Sequence, residues 1–213
     1  MLLPDNPQTR EHAARLVAHG GIIAFRTDTF YGLGADPFNA IAIRSIRRLK
    51  GRDEAKPILL LVADETEVDR FVRSISPLFW SVAARHWPGP LTLIGHARSG
   101  LPEELTAGTR KIGVRLPDDQ NVRALVRACG GALTATSANE SGYPPARTAK
   151  EVEDYFSHRI DLIIDGGETT CTQPSTVLDL SATEPLLVRE GGTTVVELKQ
   201  SLDGLGWKLG LEP

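Results

Sequence analysis

A cluster of basic residues follows the second predicted helix and could bind a polyanion. Residues 44–57, RSIRRLKGRDEAKP, contain six Lys or Arg residues and two acidic ones, in a chain whose formal net charge is −3. Three of the arginines share one face of the predicted helix, where they could simply be solvated. The other three cations fall on the loop beyond the helix, and cations there suit a polyphosphate or an RNA backbone. They are Lys50, Arg52 and Lys56.

Neutral polar side chains adjoin three other predicted strands. They occur in TDTFYGLG, directly after the apolar run GGIIAF, in TSANESG, and at the start of STVLDL. Hydroxyl and amide groups can hold phosphate oxygens, ribose hydroxyls or a small substrate, although they could equally satisfy their own backbone. In TDTFYGLG the glycines could also serve a strand-to-helix turn. The candidates are Thr29, Ser137, Asn139 and Ser175.

Two arginines lie at the ends of predicted strands. Arg115 lies near the end of KIGVRLP, and Arg189 ends PLLVR before a glycine turn. A guanidinium there could clamp a carboxylate through two parallel hydrogen bonds, or it could pair with a structural aspartate. Because ligands in open α/β sheets lie beyond the carboxyl ends of strands, we expect these arginines and the polar segments to line one pocket.

Composition restricts the class of protein. With 213 residues, 41% hydrophobic and 24% charged, the chain can bury a sizeable core. The net charge of −3 excludes a globally basic nucleic-acid binder. The two cysteines have no metal-ligand spacing, which fits a reducing compartment. No apolar run is long enough to cross a bilayer and the N-terminus does not resemble a secretory signal, so a cytoplasmic protein is expected.

Helices and strands alternate, which predicts a single α/β domain over residues 1–213 with a twisted mixed β-sheet flanked by helices. The core is predicted at about residues 9–198, with residues 199–213 as a peripheral tail. Predicted helices cover residues 7–19, 37–51, 65–73, 77–86, 120–129, 148–156 and 193–202. Predicted strands cover residues 21–25, 57–62, 89–95, 111–117, 131–136, 160–167, 175–180 and 185–190. In the second helix Ile41, Ile46 and Leu49 are expected to form the apolar stripe.

Taken in order, these segments resemble the YrdC-type threonylcarbamoyl-AMP synthase family, in its short form without an extra C-terminal domain. The resemblance runs from about Thr9 to Leu198. It rests on TDTFYGLGADPFN, Lys50-x-Arg52 with Lys56-Pro57, WPGPLTLI, VRLPD, Ser137-x-Asn139 and PSTVLDL. It implies a concave basic groove and an enzyme that converts L-threonine, bicarbonate and ATP to threonylcarbamoyl-AMP and pyrophosphate.

The resemblance also implies roles for individual residues. Lys50 and Arg52 would be catalytic. Threonine would be held by Thr29, Arg115 and Ser175, and ATP by Lys56, Lys111, Ser137, Asn139, Arg147 and Arg189. Mg²⁺ is expected to accompany the triphosphate, without a protein metal site. A downstream transferase complex would pass the threonylcarbamoyl group to tRNA, which is itself a candidate ligand. Leu61 stands where longer members have His, which puts a threonine contact there in doubt.

Two other functions remain open at this stage. A double-stranded RNA-binding or ribosome-assembly factor could use the same basic groove, although aromatics are 6% of the chain and do not interleave with the basic run. A carbamoyltransferase of the hydrogenase-maturation type shares the fold that the resemblance implies. That type carries Cys-rich zinc modules, and this sequence has only two cysteines.

Overall fold

The computed structural model describes residues 1–51 and 57–211. The predictions for Arg52 and Lys56 therefore lie outside the described residues.

The helices begin at short polar residues that satisfy the first free amides. The N-caps Asn6, Asn39, Ser76, Asp119 and Thr148 each accept a hydrogen bond from a backbone N–H of the first turn. Asp119 therefore starts a helix, as expected. The helices are α1 (Pro7–Ala18), α2 (Ala40–Leu49), α3 (Pro77–His86), α4 (Glu103–Thr106), α5 (Gln120–Ala128), α6 (Ala149–Phe156) and α7 (Val195–Asp203).

The strands form one mixed sheet, as the sequence predicts. They are β1 (Leu2–Pro4), β2 (Ile23–Phe25), β3 (Gly32–Gly34), β4 (Leu59–Val62), β5 (Val72–Arg73), β6 (Leu91–Ala97), β7 (Lys111–Arg115), β8 (Ala132–Ser137), β9 (Leu162–Asp165), β10 (Thr176–Asp179), β11 (Leu186–Arg189) and β12 (Gly210–Leu211). Their order is β1-β9-β2-β3-β8-β4-β7-β6-β10-β11-β12, and β5 pairs with β6. Strand β4 is parallel to β7 and antiparallel to β8, so it joins the two halves of the sheet.

Helices cover the two faces of the sheet unequally. Helices α1 and α5 pack through Val17 and Leu125 on the face that carries Phe25 and Leu61. The larger cluster on the other face includes apolar residues of α2, α3, α6 and α7. Strand residues alternate between the faces, so Ile112 and Val114 point into the larger cluster. The other residues of β7 lie on the opposite face of the sheet; they are Lys111, Gly113 and Arg115.

Two predictions for local structure are wrong, the first of them in part. In α2 the buried residues are Ala42, Ile43 and Ile46, whereas Ile41 is 70% exposed because it lies on the outer side of the helix. Residues 65–73 are not one helix. A 3₁₀ helix (Glu65–Arg70) gives way to β5, since Val72 and Arg73 find backbone partners on β6.

The segment TDTFYGLG does not turn into a helix. Gly32 to Gly34 form β3, which pairs antiparallel with both β2 and β8, and neither glycine has a positive φ. A Cβ at Gly34 would lie 2.7 Å from Cε1 of Phe25. This glycine is therefore required by packing against Phe25.

The C-terminal residues are more integrated than the predicted peripheral tail. Leu205 and Leu209 pack against the larger core cluster, and β12 adds a parallel strand to β11 through Leu186 and Gly210. Within the residues that the structure describes, no helix combines the length and the apolar character needed to cross a membrane.

Candidate functional site

One part of the sheet presents a partly open face, which we call the site face. It comprises the side of β4, β7, β6, β10 and β11 that carries Arg115. On this side Ile94 and Val177 are only half-buried, whereas their strand neighbours Leu93 and Leu178, on the opposite side, are fully buried. At its centre Gly113 provides no side chain, and its position is flanked by Thr92, Leu59 and Ile94. The site face therefore has a flat, largely apolar floor.

The lysine cluster lies at the end of β8 and consists of Lys50, Ser137 and Asn139. The end of α2 brings in Lys50, which is 2% exposed. Its Nζ donates to the backbone oxygen of Ser137, to the backbone oxygen of Asn139 at 2.9 Å, and to Oδ1 of Asn139 at 3.2 Å. Since a buried ammonium needs such acceptors, Lys50 fixes the two residues that follow the strand. The positive charge of Lys50 is thereby placed under this segment.

Asn139 also holds the chain that follows it. Its Nδ2 donates to the backbone oxygens of Glu140 at 3.0 Å and Tyr143 at 2.6 Å. The backbone N–H of Ser141 returns to the backbone oxygen of Lys50 at 2.9 Å. The segment after β8 therefore folds back around Lys50. Ser137 is half-buried, and its hydroxyl lies 3.5 Å from Nζ of Lys50, at the limit of a hydrogen bond.

The arginine cluster lies at the carboxyl end of β7 and consists of Thr29, Arg115, Ser175 and Arg189. Arg115 is 3% exposed. Its Nη1 donates to Oδ1 of Asp28 at 2.5 Å, and its Nη2 lies 3.5 Å from Oγ1 of Thr29. Its Nε is buried with no hydrogen-bond partner among the residues that the structure describes. An unused buried donor on a charged group is costly, so a ligand acceptor at this point would stabilise the site.

Ser175 connects Arg189 to the same cluster. The Nε and Nη2 of Arg189 both donate to the backbone oxygen of Ser175, at 3.1 and 2.8 Å. The Ser175 hydroxyl lies 2.9 Å from the hydroxyl of Thr92 on β6, and 3.3 Å from Nη2 of Arg189. Arg189 thus fixes the residue directly before β10.

The two guanidinium groups of the arginine cluster lie close enough to repel each other. Burial, and next the positive charge of Arg115, lower the pKa of the Arg189 guanidinium from its ordinary value. Asp28 is the acidic partner bound to Arg115. Two neighbouring cations, of which only Arg115 is paired with a carboxylate among the described contacts, leave a net positive site, and such a site attracts an anion.

The two clusters meet through the centre of the sheet. Gly32 of β3 pairs with Ser137 of β8, and Thr29 lies three residues before Gly32. On the other side, Leu61 of β4 pairs with both Leu133 of β8 and Arg115 of β7. Ser137 lies four residues beyond Leu133 on β8, so the lysine cluster lies about 13 Å along the strands from the level of Arg115, and Thr29 links the two clusters because it is close to Gly32 in the chain and to Arg115 in space.

Lys111 lies at the other end of β7 from Arg115. The two residues are four positions apart along the strand, which places their Cα atoms about 13 Å apart. The Lys111 ammonium forms an ion pair with Asp179 Oδ2 at 2.7 Å. Burial would raise the pKa of Asp179, but hydrogen bonding, led by that from Lys111, outweighs it and holds the pKa below its usual value. Lys111 shares the site face with Arg115 without joining the arginine cluster.

Arg147 lies beside the segment that follows β9. Its Nε and Nη2 donate to the backbone oxygen of Thr169 at 3.3 and 3.0 Å, and its Nη2 is 3.4 Å from the Glu168 carboxylate. The side chain is 41% exposed. Its described contacts are therefore with this loop.

Two contributors are missed by the sequence interpretation. Asp28, which is not among the candidates from the sequence, binds Arg115 and also accepts from the backbone N–H of Asp118 at 3.1 Å. Thr92, which meets Ser175, is hidden in the apolar run LTLI. A lone Asp between two threonines directly after a strand was the available signal for Asp28.

Comparisons with known proteins give consistent similarities. A model of the Sua5/YciO/YrdC family, described as "Telomere recombination", matches residues 15–191. A threonylcarbamoyl-AMP synthase from Thiobacillus denitrificans is 42% identical over 162 residues, which is 76% of this chain and 86% of that protein. A threonylcarbamoyl-AMP synthase from Pyrococcus abyssi is 35% identical over 188 residues, 88% of this chain.

The fold is also similar to that of a solved structure. A crystal structure of P. abyssi Sua5 complexed with L-threonine superposes with a TM-score of 0.94 at 30% identity, covering 100% of this chain and 63% of that one. The chain spans 55% of the length of the matching P. abyssi synthase, so this relative is considerably longer.

Proposed function

The chain belongs to the Sua5/YciO/YrdC family, and from this premise we propose that it is an L-threonylcarbamoyladenylate synthase. It uses L-threonine, bicarbonate and ATP, and it releases threonylcarbamoyl-AMP and pyrophosphate. The observation that carries the proposal is the convergence of two clusters: one built on Lys50, Ser137 and Asn139, and one built on Arg115, Ser175 and Arg189. The similarity to threonylcarbamoyl-AMP synthases supports the reaction, and the two clusters support a binding place for each substrate.

The arginine cluster suits the amino acid. Its net positive charge complements a carboxylate, and the unused Nε of Arg115 offers a donor at the point where a carboxylate oxygen can accept. The hydroxyls of Thr29 and Ser175 can exchange hydrogen bonds with the amine and the hydroxyl of threonine. Because these groups are buried, water competes with them poorly.

The lysine cluster suits the phosphates of ATP. Ser137 and Asn139 present neutral donors and acceptors, and Lys50 contributes charge from beneath the segment. The open floor between Arg115 and Lys111 runs for about 13 Å, which gives a nucleotide room beside a small amino acid. In this arrangement Arg147 and Arg189 flank the nucleotide, and Lys111 marks its far limit. Arg52 and Lys56 would complete the charge around the pyrophosphate.

The chemistry requires positioning more than covalent participation by the protein. The threonine amine attacks the carbon of bicarbonate, the C–OH bond breaks, and the hydroxyl leaves with an amine proton as water, so that a carbamate forms. A carbamate oxygen then attacks the α-phosphorus of ATP, the bond from that phosphorus to the oxygen bridging to the β-phosphorus breaks, and pyrophosphate leaves with the electron pair. Fixed cations that face the developing charge stabilise such a transition state, and holding the labile carbamate next to ATP raises its effective concentration.

Mg²⁺ would enter with the nucleotide. Among residues 1–51 and 57–211, no group of three or more His, Cys, Asp or Glu side chains could hold a metal ion. Magnesium is commonly bound through phosphate oxygens and water with few protein ligands, which fits this site. The ion would neutralise charge on the departing pyrophosphate.

The product is a mixed anhydride and requires an acceptor. In this proposal a downstream transferase complex moves the threonylcarbamoyl group to an adenosine of tRNA. We place the reaction in the cytoplasm, since both cysteines are free thiols, as is usual in a reducing compartment.

The test is an assay of pyrophosphate release by the purified chain. ATP, Mg²⁺, L-threonine and bicarbonate are supplied together and then omitted one at a time, and the adenylate product is identified by mass spectrometry. Release should require all three substrates, and L-alanine should replace L-threonine poorly because it lacks the hydroxyl that Thr29 and Ser175 would hold. Threonine-independent release, or no release alongside salt-sensitive binding of double-stranded RNA, would instead favour the rival functions, a carbamoyltransferase or an RNA-binding factor.

A further inference from the structure

Tyr31 is the point where three segments of the site meet, although it cannot touch a ligand itself. The side chain is fully buried, in the middle of the TDTFYGLG segment. Its backbone N–H donates to the backbone oxygen of Ala146 at 3.0 Å, and its backbone oxygen accepts from the N–H of Ala138 at 2.8 Å. These two bonds attach the segment of Thr29 to both ends of the segment that carries Asn139.

The hydroxyl of Tyr31 makes a separate connection, to the loop of residues 166–174. It donates to the backbone oxygen of Gly167 at 2.8 Å and accepts from the backbone N–H of Gly166 at 3.2 Å. Asp165, at the end of β9, lies 3.3 Å from the same hydroxyl through its Oδ1, which also accepts from the N–H of Gly167 at 2.9 Å. The start of loop 166–174 is therefore fixed by one phenol and one carboxylate.

Loop 166–174 leads directly to Ser175, and it is held at two further points. Thr169 exchanges bonds with Arg147 in both directions, since its N–H donates to the Arg147 backbone oxygen at 2.9 Å and its own oxygen accepts from the guanidinium. At the far end, the backbone oxygen of Pro174 accepts from the N–H of Gly192 at 2.8 Å, and Arg189 holds the oxygen of Ser175. Tyr31 is the attachment that lies nearest the start of the loop.

From these contacts we infer that Tyr31 is a positioning residue for the amino-acid half of the site: its hydroxyl sets loop 166–174 and thereby the place of Ser175. The inference deepens the proposed synthase activity and rests on it. The backbone bonds of Tyr31 to the Asn139 segment do not involve the hydroxyl. Removing that hydroxyl should therefore affect the amino-acid side more than the nucleotide side, which the loop reaches only through the contact of Thr169 with Arg147.

The phenol remains a neutral donor throughout the working pH range. Burial is the largest cause that raises the pKa of Tyr31, to about 12, and the nearby Asp165 carboxylate adds to it. A Tyr31→Phe variant keeps the ring that fills the core and deletes only the hydroxyl, so the packing volume is conserved. The loss of hydrogen bonds to Gly166 and Gly167 loosens the start of loop 166–174.

The experiment measures steady-state kinetics of the Tyr31→Phe chain, with threonine and ATP varied separately. We expect the KM for threonine to rise roughly threefold to tenfold, as the loss of a buried neutral hydrogen bond implies, with the KM for ATP close to that of the wild type. Tyr155→Phe is the matched control, because its hydroxyl also donates to a backbone oxygen, that of Pro144 at 2.9 Å, outside the loop. It should leave the KM for threonine unchanged.

A second readout separates this inference from the proposed function. Amide hydrogen exchange of residues 166–174 should become faster in Tyr31→Phe and stay unchanged in Tyr155→Phe, whether or not the chain makes an adenylate. Equal changes in both KM values, or unaltered exchange in the loop, would overturn the positioning role. If wild-type chain shows no threonine-dependent pyrophosphate release while the loop still loosens, the synthase proposal fails and the structural role of Tyr31 stands.

Discussion

At the scale of single residues, Arg115 combines an ion pair with a donor that is still unused. Asp28 holds one arm of the guanidinium at 2.5 Å, which fixes the plane of the group, while Nε remains buried without a partner among the described residues. Both interactions are possible because the planar guanidinium group of arginine carries several N–H donors. A single ammonium cannot bind the Asp28 carboxylate and a substrate carboxylate in the same geometry.

The Arg115→Lys substitution tests that division. It keeps the positive charge opposite Asp28, so folding should be retained. It removes the guanidinium donors that are not bound to Asp28. The KM for threonine should rise roughly tenfold to a hundredfold, the range expected for losing a charge-assisted hydrogen bond. Arg127→Lys is the control, because Arg127 is a surface residue whose side chain is 60% exposed. An unchanged threonine KM in Arg115→Lys would show that Arg115 does not bind the substrate carboxylate.

Asp179 gives a pH-dependent prediction for stability. Its pKa is lowered in the folded protein, because hydrogen bonding outweighs the opposing effect of burial. The folded state therefore gains stability above the unfolded pKa of about 3.9, and loses it as the pH falls through the folded value. At pH 7 Asp179→Asn should lower the free energy of unfolding by less than about 1 kcal/mol, since Lys111 is partly exposed.

Chemical denaturation from pH 7 down to about pH 3 measures this difference. The gap between wild type and Asp179→Asn should narrow as the pH drops below about 4, where the carboxylate becomes protonated. Asp69→Asn, at an exposed position, serves as the control and should match the wild type throughout. A gap that stays constant with pH would contradict the assigned role of the Lys111–Asp179 pair.

At the scale of elements, the two glycines of β3 differ in what surrounds them. A methyl group at Gly34 would meet the Phe25 ring at 2.7 Å and the backbone oxygen of Thr134 at 3.2 Å. At Gly32 the nearest atom would be the Thr136 oxygen at 3.5 Å, an ordinary contact. The strand thus offers two substitutions that differ mainly in crowding.

Gly34→Ala should therefore lower the free energy of unfolding by about 1–3 kcal/mol, the usual cost of overpacking. Gly32→Ala is the matched control and should cost less, because it adds a methyl group without a clash. Urea denaturation of both variants provides the comparison. Equal stability of the two would mean that Phe25 does not press against β3.

The regular elements are largely predictable because hydrophobic runs and caps are local signals. The run PILLLV marks β4, and Thr148 and Asn6 cap α6 and α1 as expected. The failures occur where partners distant in sequence decide. Gly32 to Gly34 have a turn-like composition, yet pairing with β2 and β8 makes them a strand. Residues 72–73 likewise leave the helix because β6 offers a pairing edge.

At the scale of the whole molecule, the sequence predicts that the polar groups after separate strands line one pocket. Lys50 contacts Ser137 and Asn139, because α2 ends beside the carboxyl end of β8. The ion pair that holds Arg115 in place could not be predicted from the sequence. Asp28 and Arg115 are 87 positions apart, and no local pattern couples them. The roles of individual residues remain predictions.

The central claim is that one continuous site holds the amino acid and the nucleotide side by side. A crystal structure of this chain with L-threonine and a non-hydrolysable ATP analogue measures it directly. The account predicts the threonine carboxylate on Arg115, and the analogue along the site face with its phosphates at Ser137 and Asn139. Finding the nucleotide on the opposite face of the sheet, or the amino acid away from Arg115, would contradict it.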